Sequence, residues 1–179
     1  MVNQETDKMF ELILMRHAKS DWSSHTADID RPLNDRGARD AIRMGAYLNQ
    51  MNLVPDRMVV STAQRTRETA SLLLNHLPLD EKNIIFDRQL YLADRETLCE
   101  TIESYANDSQ RLLILAHNPG MDYIVSYLAS SAPPLSSSGK LMTTCAAACF
   151  SLDSLDALKK PGQAVLKNLI RPKEIVDNV

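Results

Sequence analysis

The stretch Leu12-Ile13-Leu14-Met15-Arg16-His17-Ala18-Lys19-Ser20 decides the fold. Four apolar residues run straight into an arginine and a histidine. An apolar run without polar alternation predicts a strand covered on both faces, as in a parallel sheet between two helix layers. Ligand sites in such sheets lie just beyond the carboxyl ends of the strands. An Arg-His pair at that position suggests a phosphate-binding cation beside a nucleophile or base. Taken alone, the pair reads equally well as an arginine bound to a surface carboxylate beside a satisfied loop histidine.

Working outward, residues 1–9 read as a loose polar arm and residues 19–34 as a polar loop over the strand end. Asn34 or Asp35 can cap a helix to about residue 51, with Ala38, Ala41, Ile42, Gly45 and Leu48 on its inner face. A second strand, 57–60, ends at Ser61, which the pattern makes the N-cap of a helix reaching about residue 76. Ser61, Arg65 and Thr69 then share one face. A short third strand covers 84–86, and Asp94 can cap a helix to about residue 106. The fourth strand, 111–116, ends at His117-Asn118-Pro119-Gly120, and Pro119 suits the first turn of the next helix. Two late strands, near 144–150 and 163–170, flank a short helical turn. The alternation predicts an α/β fold: a three-layer α/β/α sandwich around a mainly parallel sheet, whose two late strands need not be parallel to the rest. The length of 179 residues favours one domain over 1–179.

Composition narrows the function. Hydrophobic residues make up 44% and charged residues 24%, as in a water-soluble globular domain. A net charge of −3 argues against broad nucleic-acid binding. No apolar run is long enough to span a membrane, and the polar start lacks the pattern of a secretory signal, so a cytoplasmic location is expected. Cys99, Cys145 and Cys149 show no metal-ligand spacing and read as reduced core residues. Neither a metal nor a cofactor is expected.

The three strand-end groups, Arg16-His17, Arg65 and His117, are far apart in sequence. If their strands are parallel neighbours, two arginines and two histidines converge on one edge, beside helix N-termini near Ser61 and Asn118. Such a cluster would hold a dianion. Arg16-His17-Ala18-Lys19-Ser20 resembles the Arg-His-Gly signature of the histidine phosphatase superfamily, which includes the cofactor-dependent phosphoglycerate mutases. Ser61-x-x-x-Arg65-x-x-x-Thr69 resembles its second arginine motif, and Leu115-Ala116-His117 its second histidine. With Asp21-Trp22, Arg31-Pro32-Leu33 and His117-Asn118-Pro119, the form is most similar to the phosphohistidine phosphatase branch typified by SixA.

The resemblance implies a metal-independent phosphatase with a phosphohistidine enzyme intermediate, most similar to those acting on phosphohistidine in proteins. A small-molecule phosphomonoesterase and a non-catalytic phosphate-binding module are the alternatives. In this reading His17 attacks phosphorus as a neutral imidazole, oriented by a carbonyl of the Ala18–Ser20 turn, while Arg16, Arg65 and His117 bind the phosphoryl oxygens. Lys19, Ser20 and Asn118 are candidate phosphate contacts. Arg31 either reaches the rim or pairs with an aspartate.

Two departures stand out. Ala18 replaces the usual glycine and resists a left-handed backbone. Leu90-Tyr91-Leu92 stands where mutases and many P–O phosphatases of the family carry a catalytic glutamate. Asp94, Glu96 and Asp21 are the candidate replacements, although Asp94 and Glu96 better suit a helix cap and its first turn. Trp22 is expected to pack the first loop onto the core.

Overall fold

A computed structural model describes residues 9–23 and 25–176. The chain runs β1 (Phe10–Arg16), α1 (Asp35–Gln50), β2 (Arg57–Ser61), α2 (Gln64–Leu74), β3 (Ile84–Asp87), α3 (Arg95–Ala106), β4 (Arg111–Ala116), α4 (Gly120–Leu128), β5 (Ala147–Leu152) and β6 (Val165–Ile170). The strands form one six-stranded sheet in the order β3-β2-β4-β1-β5-β6. Pairing is parallel from β3 through β1, and antiparallel from β1 to β5 and from β5 to β6.

The apolar run of β1 is buried on both sides, as its lack of alternation predicts. Leu12 and Leu14 join the side chains of α3 and α4, among them Leu98, Ile102, Ile124 and Val125. Ile13 and Met15 face the opposite way, toward Ala41, Met44, Leu48 and Leu73 of α1 and α2. The sheet is therefore the middle of three layers. Cys145 and Cys149 are buried, Cys99 is half-buried, and no disulfide joins them. Burial pushes the Cys149 thiol up to about 12, so it stays protonated and behaves as a small apolar side chain.

Several local readings shift. The inner face of α1 is Gly37, Ala41, Met44, Gly45 and Leu48, and Ile42 turns outward. Positions 41, 44, 45 and 48 keep helical spacing, and residue 42 falls one step off that stripe. The N-cap of α2 is Ala63, not Ser61, and the helix ends at Leu74. Ser61 belongs to the end of β2, with its hydroxyl directed elsewhere. Trp22 is 73% exposed rather than packed on the core, and the Arg31 guanidinium lies 3.7 Å from its ring centroid. A cation over an indole face gives that ring a partner without burial. Of the expected polar arm, residues 1–8 lie outside the described residues.

One close approach fixes the site loop. A Cβ at Gly37 would lie 2.0 Å from the Lys19 carbonyl oxygen, so the first turn of α1 can seat against the loop only with glycine there. Asn34 completes that junction by accepting a hydrogen bond from the Gly37 N–H at 2.8 Å and donating its own N–H to the Lys19 carbonyl at 3.0 Å.

Candidate active site

β1 and β4 are neighbours, yet the helices that follow them leave to opposite faces: α1 packs with the second core cluster and α4 with the first. A crevice opens where such connections diverge. His17 follows β1 and His117 follows β4, and their ring centroids are 5.1 Å apart. β2 lies on the other side of β4, which brings Ser61 and the first turn of α2 to the same edge. The resulting pocket has a volume of about 330 Å³ and includes Arg16, His17, Arg65 and His117 in its lining.

His17 is 7% exposed. Its Nδ1 lies 2.7 Å from the Ala18 carbonyl oxygen, so Nδ1–H donates there and the Nε2 lone pair is left available. The Ala18 N–H donates to Thr69 Oγ1 at 3.1 Å, and that hydroxyl donates to the Arg65 carbonyl at 2.6 Å. One threonine thus ties the histidine turn to the helix carrying Arg65. Among the described residues, Asn52, Leu92 and Cys145 are the non-glycine residues with positive φ. Ala18 is not one of them, so alanine replaces glycine without backbone strain. Burial holds the His17 imidazole well below its ordinary range, with His117, Arg65 and Arg16 adding repulsion. The ring is neutral at pH 7, the form a nucleophile needs.

His117 is 2% exposed, and its Nε2 meets Ser61 Oγ at 2.7 Å. In the tautomer with its proton on Nδ1, Nε2 accepts the Ser61 hydroxyl hydrogen while Ser61 Oγ accepts from the Ala63 N–H at 3.5 Å. That Nδ1 is buried without a hydrogen-bond partner, as are Arg16 Nε and Arg65 Nε. Three unsatisfied donors at one pocket are what an oxyanion with several acceptor oxygens would satisfy. Burial, then Arg65, pushes the His117 ring down to about 3.

The arginines are anchored from behind. Arg16 Nη1 donates to the Met142 carbonyl at 2.9 Å. Arg65, 2% exposed, donates through Nη1 to the Asp28 carbonyl at 2.6 Å and through Nη2 to Asp28 Oδ2 at 3.0 Å. Asp28 also accepts from Tyr91 Oη at 2.7 Å and from Arg31 Nη2 at 2.7 Å. The Tyr91 hydroxyl first, then Arg31 and Arg65, hold its carboxyl well below the usual carboxylate range. Sequence reasoning places Thr69 on one face with Arg65 but misses Asp28 and Tyr91 as members of this network. The three-residue spacing of Asp28 and Arg31 was the available signal for Asp28, and it resolves Arg31 as both rim residue and aspartate partner.

The remaining candidates divide. Lys19, Ser20, Arg31 and Asn118 line the pocket. Ser20 Oγ accepts from Arg31 Nη1 at 2.6 Å, so the serine supports the arginine. Asn118 does not cap α4, whose N-cap is Pro119; its Nδ2 donates to the Met142 carbonyl at 3.2 Å. Asp94, Glu96 and Asp21 are not in the pocket lining. Asp94 accepts from the Thr97 N–H at 2.9 Å as the cap of α3, Glu96 pairs with Arg95, and Asp21 accepts from the backbone and hydroxyl of Ser23. Cap geometry turns Asp94 toward its own helix end, and a first-turn acid such as Glu96 is satisfied at the surface.

Residues 12–91 match the family model described as "Histidine phosphatase superfamily (branch 1)". An uncharacterized protein of Mycobacterium tuberculosis is 36% identical over 116 residues, covering 65% of this chain and 70% of that protein. An uncharacterized chloroplastic protein of Arabidopsis thaliana is 30% identical over 175 residues, covering 90% and 77%. The solved structure of the protein histidine phosphatase SixA complexed with tungstate matches with a TM-score of 0.76 at 22% identity, covering 92% of this chain and 98% of that one. A mycobacterial glucosyl-3-phosphoglycerate phosphatase matches with a TM-score of 0.60 at 15% identity, covering 89% and 98%. The chain belongs to the histidine phosphatase superfamily. It is a phosphatase, a hydrolase of phosphorylated substrates, with the fold of the SixA-type members.

Proposed function

We propose that the protein hydrolyses the P–N bond of phosphohistidine carried by a protein. The observation behind this is the state of the pocket carboxylate. Asp28 lines the pocket, and it is held ionised by a tyrosine and two arginines. A carboxylate held that way has no proton to give near pH 7. The segment that, by the family resemblance, stands where mutases and many P–O phosphatases carry a glutamate reaches the pocket here with Leu92, while Tyr91 directs its hydroxyl proton at Asp28. An alkoxide leaving group needs a positioned proton donor. Imidazole, whose conjugate acid has a pKa of roughly 6.5, leaves as a neutral ring once solvent has protonated it.

In the first step His17 Nε2 forms a bond to phosphorus as the bond to the substrate nitrogen breaks. Arg16, Arg65 and the His117 Nδ1–H hold the equatorial oxygens, with the unsatisfied donors available to them. The protonated substrate ring keeps the electron pair of the broken bond and departs neutral. In the second step water attacks the phosphohistidine, orthophosphate leaves, and His17 regains its lone pair. Two displacements replace one difficult step.

The test compares kcat/KM for a phosphohistidine protein and for a sugar phosphate. The expected result favours the phosphohistidine protein. An equal or higher value for the sugar phosphate overturns the proposal.

A further inference from the structure

A second cavity, of about 360 Å³, adjoins the catalytic pocket and shares Arg16, Lys19 and Thr144 with it. Its far wall carries Arg36, Lys140, Arg171 and Lys173 against two acids, Asp40 and Glu174. Both acids are committed: Arg171 pairs with Glu174 at 3.1 Å, and Arg36 with Asp40 at 3.5 Å. Among the described residues, Lys19, Lys140 and Lys173 take part in no ion pair. A chain of net charge −3 thus concentrates uncompensated positive charge in one concavity. Such focusing raises the local concentration of anions.

The far wall is also built. Ser136 N–H donates to the Lys140 carbonyl at 2.9 Å, Lys140 N–H to Ser136 Oγ at 3.1 Å, and Gly139 N–H to the Ser136 carbonyl at 2.8 Å. Gly139, at φ +72°, closes this turn and presents Lys140 to the cavity. Arg171 braces the same wall by donating to the carbonyls of Leu141 at 3.1 Å and Pro134 at 2.5 Å.

We propose that this cavity is a second anion subsite, holding a further oxyanion of the substrate whose phosphoryl group sits at His17. Arg16, common to both cavities, joins the two ends. The oxyanion is a side-chain carboxylate flanking a phosphohistidine, or the second phosphate of a small substrate. The first source rests on the P–N reading above; the subsite itself does not.

Two measurements separate these, each on the wild type and on the Lys140→Gln/Lys173→Gln double variant. Both lysines are exposed, so the fold tolerates their loss. In the first, kcat/KM is compared for a phosphohistidine peptide with neutral flanks and its glutamate-flanked counterpart. In the second, calorimetry compares binding of alkyl monophosphonates with that of α,ω-bisphosphonates of increasing spacer length. The subsite predicts a preference of about tenfold for the anion-bearing member of at least one pair, the equivalent of one charge-assisted hydrogen bond. That preference disappears in the double variant, while the singly charged member is handled as by the wild type. Preference in the peptide pair assigns the oxyanion to a protein substrate; preference in the phosphonate pair assigns it to a small one. Less than about a twofold preference in both pairs, the worth of an ordinary surface ion pair, overturns the proposal. So does a preference that survives in the double variant. If neither peptide turns over, the P–N reading fails, and the binding measurement alone decides the subsite.

Discussion

Replacing Ser61 with alanine separates two readings of that residue. As a helix N-cap, its loss would cost about 1 kcal/mol of stability and leave turnover alone. In the structure its hydroxyl is 2.7 Å from His117 Nε2, with both residues buried. Alanine would leave that nitrogen unsatisfied, at a cost of about 1–3 kcal/mol. For a chain of this size the melting temperature should fall by roughly 3–10 °C. Stability alone does not discriminate well, because the two ranges touch. Turnover does. Without the hydroxyl, nothing keeps the imidazole proton on Nδ1, which has no hydrogen-bond partner within the protein. Deleting an oxyanion donor outright costs about 10²–10³-fold in kcat, so losing only its orientation should cost about tenfold, with KM less affected. Ser61→Gly sharpens the comparison, since glycine is a tolerable cap, within a few tenths of a kcal/mol of serine, but offers no hydroxyl. Orthophosphate release and thermal melts on both variants form the assay. A lowered melting temperature with kcat within about twofold of wild type in both would refute a positioning role for Ser61.

Further outcomes follow from the same geometry. His17→Ala should abolish turnover, while Arg65→Ala and His117→Ala should each lower kcat by about 10²–10³-fold; near-normal kcat in His17→Ala would rule it out as nucleophile. Stability should decline as the pH falls below 6.5, the ordinary histidine value, and keep declining toward about 3, the folded-state value of His117. In that window the unfolded chain binds a proton that the folded ring refuses, so acid favours unfolding; urea midpoints across the range should show a smaller slope in His117→Gln. Activity should persist in excess EDTA, because Arg16 and Arg65 supply the positive field and no group of three His, Cys, Asp or Glu among the described residues could hold a metal ion. Asp94→Ala should lower the melting temperature slightly through the lost cap and leave kcat unchanged, as read by melts and orthophosphate release.

The sheet and the four principal residues were legible because each rests on a local pattern. The unalternating run in β1 requires cover on both faces, and that places Arg16 and His17 at an inner strand end. Parallel neighbours then bring His117 and Arg65 to the same edge. Ser61 was misread because serine before a helix has two uses, and only the neighbouring strand decides between them. Ile42 was misplaced because one residue's rotation, about 100° on a helix, separates inside from outside. Asp28 and Tyr91 were not legible as a pair. They are far apart in the chain, and they meet because the first loop folds back over α2 to reach Arg65.

Asp28 also links affinity to leaving-group preference. A carboxylate beside a phosphoryl site can hold the arginines in place or deliver a proton, and one group does not do both. Holding Arg65 and Arg31 requires charge, and those cations together with Tyr91 keep the carboxyl ionised well into acid. Donation near pH 7 requires the reverse, a carboxyl raised by burial or a like charge. With no second carboxylate in the pocket lining to raise it, Asp28 stays on the side of positioning. Substituting a glutamate for Leu92, which lines the pocket, would supply that second carboxylate. The same pocket would then be expected to gain on sugar phosphates, with Arg65 still anchored through the Asp28 backbone carbonyl.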